Sequence, residues 1–223
     1  MIKAIFWDND GILVDTEYLY FQANQMVLKE LGIELALDFY IHQTMVLGKS
    51  VMVLAQQLGK TEQEIDVLRN KKNQIYAELI QKQVRIMPGI EPVLKHLHKK
   101  IFMAIVTSSR KDHFDIIHNH TGFKKYFDLI ITHDDFTHTK PNPECYLLAL
   151  QKSGFKNEEC LVIEDTERGL KAAKSAGLKC YVIPNDLTCD HNFSLADKIL
   201  KDAKELLQYL TSIPKLGMRN ERE

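Results

Sequence analysis

Apolar residues gather in five short runs, Lys3–Trp7, Ile101–Val106, Leu129–Ile131, Cys160–Ile163 and Lys179–Ile183. Most are continuously apolar, as strands buried on both faces are, whereas a half-buried strand alternates. Helical spacing of apolar residues recurs around the last four, in Pro92–Lys99, His113–His120, Pro143–Lys152 and Glu167–Ala176. Alternation of strand and helix predicts an α/β fold, a Rossmann-like parallel sheet with helices on both faces. Between the first two runs the spacing changes. From Thr16 to about Arg85 it is helical, in Tyr20–Leu31, Val51–Leu58 and Glu62–Gln83, until Met87-Pro88-Gly89 turns the chain back. We therefore expect an α/β core over residues 1–15 and 87–212, an inserted α-helical cap over 16–86, and a polar C-terminal tail over 213–223. Such an insertion would lie over the carboxyl ends of the strands, where open α/β sheets bind ligands.

Composition narrows the classes. At 223 residues and 45% apolar content the chain can bury a substantial core. A formal net charge of −1, with lysine and arginine scattered, argues against nucleic acid or a membrane surface as partner. No apolar stretch approaches the roughly 20 residues that span a bilayer. The first residues do not form a secretory signal, and the four cysteines show no CxxC spacing. A cytoplasmic protein with reduced thiols is expected, as a monomer or weak homodimer.

The chemistry starts where the first run ends, at Asp8-Asn9-Asp10-Gly11. Residues i and i+2 of a strand leave on one side, so Asp8 and Asp10 can face one small volume. Two carboxylates there repel unless a cation or proton lies between them. An EF-hand loop is excluded, because Ile12 stands at its fifth position and the glycine comes fourth. Three more segments sit at strand ends. Thr107-Ser108-Ser109 offers hydroxyls and free N–H groups ahead of a helix, suited to a phosphate or simply to an N-cap. Lys140, in Thr139-Lys140-Pro141-Asn142-Pro143, is presented from a stiff loop. Glu164-Asp165 is a second acidic pair between a buried strand and a helix start. Hard carboxylate oxygens suit Mg²⁺, and a phosphate of about −1.5 to −2 needs positive charge beside these acids. One Mg²⁺ and Lys140 would supply roughly +3.

In order and spacing, Asp8-Asn9-Asp10-Gly11, Thr107, Lys140 and Glu164-Asp165 resemble the four motifs of the haloacid dehalogenase superfamily. With helices inserted between the first two motifs, the chain looks like the β-phosphoglucomutase-like phosphatase branch. The resemblance implies that Asp8 is the nucleophile, forming an aspartyl-phosphate, and that Asp10 is the acid and base. It implies that Thr107 and Ser108 contact the phosphoryl group and that Lys140 neutralises charge on it and on Asp8. Mg²⁺ would be held by Asp8, the backbone carbonyl of Asp10 and Asp165, with Glu164 as a ligand or just behind. Two positions depart from the usual motif, Asn9 and Ile12. Asn9 is expected beside the phosphate path.

Mutases of this branch carry a histidine and an arginine where this chain has Tyr20 and Val51, which favours hydrolysis. Lys72 matches a basic cap position, as a substrate contact or as a solvated helix residue. His118 and His120 are expected at the surface and do not form a zinc site. The expected activity is a Mg²⁺-dependent phosphatase for a small phosphomonoester such as a sugar phosphate. The alternatives are a phosphomutase and a non-catalytic phosphate-binding protein of the same fold.

Overall fold

In the computed structural model, which describes residues 1–212, the first apolar run becomes the central strand β1 (Ala4–Trp7), fully buried along its length. A two-stranded antiparallel ribbon follows, β2 (Val14–Asp15) against β3 (Arg85–Ile86). The remaining strands are β4 (Phe102–Val106), β5 (Leu129–Ile131), β6 (Cys160–Glu164), β7 (Lys179–Val182) and β8 (Lys198–Ile199). Six of them form one parallel sheet in the order β5-β4-β1-β6-β7-β8. In register, Ile5 pairs with Met103 on β4 and with Leu161 on β6.

The two-residue period of a strand divides the core. Ile5, Trp7, Met103, Ile105, Leu161 and Ile163 face one side, while Ala4, Phe6, Ala104, Val106 and Val162 face the other.

Between the ribbon strands the chain builds a helical lobe. It comprises α1 (Glu17–Lys29), the short α2 (Leu37–Tyr40) running into a π-helical turn over Ile41–Val46, α3 (Val53–Gln57) and the long α4 (Glu62–Gln83). The start of α4 is fixed by a capping box, in which Thr61 and Glu64 satisfy each other's backbone N–H. The lobe has its own apolar centre, including Phe21, Leu28, Tyr40, Met52 and Ile65. It descends onto the sheet edge closely enough that a Cβ on Gly48, whose φ is +67°, would stand 3.0 Å from the Lys140 carbonyl oxygen.

The helices over the sheet are α5 (Ile90–Leu97), α6 (Lys111–Thr121), α7 (Glu144–Ser153), α8 (Glu167–Ser175) and α9 (Ala203–Ser212). Helices α5, α6 and α9 cover the Ile5 face, and α7 and α8 the Phe6 face. Beyond the expected elements the structure adds the ribbon, β8, α2 with its π turn, and α9. The expected tail, 213–223, lies outside the described residues. No helix among the described residues is long and apolar enough to cross a membrane.

Candidate active site

Parallel neighbours end on the same edge of a sheet, so β1 and β6 deliver their following acids to one place. The backbone N–H of Asp8 still donates to the Ile163 carbonyl at 3.0 Å, extending the ladder by a residue. Oxygens of Asp8, Glu164 and Asp165 lie within 4.8 Å of one another, all three residues buried. Lys140 reaches in from the loop before α7. Its Nζ donates to Asp8 Oδ1 at 2.8 Å, Glu164 Oε1 at 2.7 Å and the Val106 carbonyl at 3.0 Å. Three carboxylates thus face one ammonium, a negative excess that a divalent cation would balance.

The oxygens divide by partner. Glu164 Oε1 also accepts from the Tyr146 hydroxyl at 2.7 Å, and Oε2 from Asp165 N–H and Thr166 Oγ1. Both oxygens of Glu164 are therefore engaged by protein. Asp165 Oδ2 accepts from Asn185 Nδ2 at 2.8 Å, but its Oδ1 is buried with no hydrogen-bond partner among the described residues. A shielded carboxylate oxygen with free lone pairs is costly, and a hard oxygen donor of this kind fits Mg²⁺. Electrostatics agree. Burial, then repulsion from Glu164, push Asp8 up to about 7 despite Lys140. Burial and the charges of Asp8 and Glu164 raise Asp165 well above the usual carboxylate range. Burial opposes the charge on Lys140, but Asp8 and Glu164 outweigh it and raise the ammonium's pKa.

Asp10 is held separately. Its Oδ2 accepts from Ser109 Oγ at 2.6 Å and Thr107 Oγ1 at 3.3 Å, and its Oδ1 accepts from the Thr16 hydroxyl. The intervening loop folds around the Asn9 carbonyl, which receives the N–H groups of Leu13 at 2.8 Å, Val14 at 3.1 Å and Ile12 at 3.3 Å. Gly11 closes it with φ +82°, and a Cβ there would stand 2.0 Å from Asp165 Oδ2. No other residue type fits.

Above these groups lies a cavity of about 280 Å³, walled by both the sheet edge and the helical lobe. Ser108 lines it, with an Oγ that is buried and lacks a partner among the described residues. Lys72 lines it too, only 7% exposed, donating to the Tyr20 hydroxyl at 2.6 Å with its Nζ 4.2 Å from that ring's centroid. Of its two sequence readings, the solvated one does not describe it. Val51 and Lys49 also line the cavity.

Two expectations are corrected. The Asn9 side chain does not lie beside the phosphate path: it is fully buried on the opposite side from Asp8 and Asp10, and its Oδ1 accepts from His118 Nε2 at 2.8 Å. His118 is accordingly not a surface residue but 2% exposed, under the loop. A polar side chain at position 9 needs a polar partner below it, and α6 supplies one. Sequence reasoning also missed Thr16, Tyr146 and Asn185, which meet the site only through the fold, and it read Ser109 as a phosphate or N-cap hydroxyl rather than as a partner of Asp10.

The profile of haloacid dehalogenase-like hydrolases matches residues 5–183. YhcW of Bacillus subtilis (strain 168) is 32% identical over 213 residues, covering 92% of this chain and 94% of that protein. The fructose-1-phosphate phosphatase YqaB of Escherichia coli (strain K12) is 28% identical over 180 residues, covering 78% and 93%. Among solved structures, CbbY from Rhodobacter sphaeroides in complex with phosphate superposes with a TM-score of 0.80 at 27% identity, covering 92% of this chain and 96% of that one. The likeness runs from β1 through β7 and takes in every acidic and basic group described above, which places this chain among the haloacid dehalogenase-like hydrolases.

Proposed function

We propose that the protein is a Mg²⁺-dependent phosphatase that hydrolyses a small phosphomonoester, a sugar phosphate in particular, through a phosphorylated Asp8. The observation that carries this is the division of labour among the carboxylates. Asp8 has one oxygen on Lys140 and sits beside the unpartnered Oδ1 of Asp165, while Asp10 is held apart on Thr107 and Ser109.

In the first step an Asp8 oxygen attacks phosphorus and the P–O bond to the substrate breaks. Asp10 gives a proton to the departing oxygen, which leaves as an alcohol. Asp10 then takes a proton from water, whose oxygen attacks the phosphoryl group, releasing phosphate and restoring the Asp8 carboxylate. Lys140 and the Thr107 and Ser108 hydroxyls hold the phosphoryl oxygens throughout. Asp8, the Asp10 carbonyl and Asp165 would hold Mg²⁺, with Glu164 fixed behind them by Lys140 and Tyr146; the ion supplies positive charge for the phosphoryl oxygens. Residues 16–86 act as a cap that shields the reaction from bulk water.

The sugar-phosphate reading rests on the relatives, which include the phosphorylated carbohydrates phosphatase of Thermotoga maritima, 28% identical over 183 residues, and the fructose-1-phosphate phosphatase. Hydrolysis is favoured over mutase chemistry because Tyr20 is tied to Lys72 and Val51 is buried and aliphatic, so neither supplies the missing histidine or arginine. The test is Asp8→Asn against a phosphomonoester panel, with Mg²⁺ and EDTA arms. We expect loss of about 10⁴-fold or more in kcat with an unchanged fold, and loss of wild-type turnover in EDTA. Wild-type activity in Asp8→Asn would refute the nucleophile, and no turnover by the wild type would refute the phosphatase.

A further inference from the structure

Arg168 is the second residue of α8, on the same turn that carries Glu164 and Asp165, and it lines the cavity. Its position is rigid. Thr166 caps the helix by accepting from Gly169 N–H at 3.1 Å, and Gly169 packs so tightly that a Cβ there would stand 2.0 Å from the Glu164 carboxyl carbon. Yet the guanidinium is poorly used. Its Nε is buried without a hydrogen-bond acceptor, and no carboxylate comes within 4.0 Å of it among the described residues. Glu17, then Asp8 and Glu164, act on it only through space, and one oxygen of Glu17 already accepts from the Tyr40 hydroxyl.

A guanidinium offers five donors in a planar fork and cannot shed its charge, so leaving its buried Nε without an acceptor is costly. Lys72 repeats the pattern from the opposite wall, buried with a phenol and no carboxylate as partner. The two cations flank one face of α1. Arg168 is acted on by Glu17 and Lys72 holds Tyr20, residues three apart and so neighbours on the helix surface. Neither holds the nucleophile, a task that falls to Lys140. Outside the cluster of Asp8, Asp10 and Lys140 the cavity wall carries Lys49, Lys72 and Arg168, with Arg110 already paired to Asp112, against the single carboxylate of Glu17. A wall of that sign draws negative charge.

We infer that Arg168 is a specificity-determining residue that grips a second anionic group on the substrate, other than the transferred phosphate, with Lys72 lining the same cavity from the helical lobe. This rests on the phosphatase reading and names its substrate class: a phosphomonoester with a further carboxylate or phosphate. The fork matches either anion in two-point contact.

Matched pairs test it. For the carboxylate arm, phosphoglycolate is compared with 2-hydroxyethyl phosphate; for the phosphate arm, 1,3-propanediol bisphosphate with 3-hydroxypropyl phosphate. Binding is measured by calorimetry in the Asp8→Asn background, where nothing turns over, and kcat/KM with Asp8 present. In at least one arm we expect the doubly anionic member to be favoured by about tenfold or more. Arg168→Gln should cut that preference to within about threefold, acting on the charged member alone. Because that variant leaves the half-buried Glu17 without its counter-charge, Glu17→Gln/Arg168→Gln is run beside it and should lose the preference equally. Equal affinity within both pairs overturns the inference. So does an equal loss on charged and neutral members, which would assign Arg168 to the transferred phosphate. Absence of turnover with intact calorimetric preference would instead sink the phosphatase reading and leave Arg168 as an anion site.

Discussion

Asn9 and His118 show how one departure from a motif draws in another residue. His118 Nε2 donates to Asn9 Oδ1 while its Nδ1 meets the Thr121 hydroxyl at 3.0 Å, between the rings of Phe114 and Phe123. Replacing one partner strands a buried polar group, whereas replacing both by apolar residues strands none. Asn9→Leu or His118→Leu alone should therefore destabilise the fold by about 1–3 kcal/mol in urea titrations, and the double variant should recover most of the loss. Additive losses would show that the two side chains do not act together. Titration provides a separate check. Burial pushes His118 down to about 4, with Asp10 and Asp115 partly opposing it and Lys124 adding to it. Between pH 6.5 and about 4 the unfolded chain binds the proton that the folded one refuses, so stability falls as pH falls through that window. The full effect is about 3 kcal/mol, because each tenfold difference in proton affinity is worth roughly 1.4 kcal/mol. His118→Leu should flatten that part of the stability–pH curve.

At the level of elements, the tightest junction is the turn from β6 into α8. A Cβ on Gly169 would overlap the carboxyl group of Glu164 at 2.0–2.1 Å, and that group is where Lys140 and Tyr146 converge. Gly169→Ala should cost about 2–4 kcal/mol and lower kcat at least tenfold, seen as a drop in melting temperature and in turnover at saturating substrate. Unchanged kcat would mean that Glu164 can move without disturbing Lys140. The same junction shows what a single sequence discloses. Strands β1, β4 and β6 were legible because burial on both faces leaves an uninterrupted apolar signature, and with them came the strand-end acids. The ribbon β2–β3 and strand β8 have two residues each and exist only through partners far along the chain, so no local signature marks them. Helix α9 lies at the end of the stretch read as core, where no helical pattern was singled out. Asn185 and Tyr146 likewise reach the acids by tertiary placement, and His118 was misplaced because helical spacing alone does not say which face meets a polar loop.

For the whole molecule, two apolar centres in one chain leave a chamber between them, and both walls supply its charges. The helical lobe is tied to the sheet at the two-residue ribbon, where Val14 pairs with Ile86 and Asp15 with Arg85. It also packs through α4 on α6, where His113 meets the Asn73 carbonyl and the Tyr76 ring, and Gly48 lies against the backbone of Lys140. Gly48→Ala should lower kcat several-fold, read by steady-state kinetics at saturating substrate, and should also lower the melting temperature, because alanine is strained at φ +67°; an unaltered kcat would show that this contact does not govern turnover. A methyl group at that spot would act as a doorstop. The lysine whose ammonium reaches Asp8 also carries the carbonyl on which Gly48 rests, so whatever nudges one disturbs the other. On the proposed function, sealing the chamber and readying its charge would then be a single event, decided by the smallest side chain available.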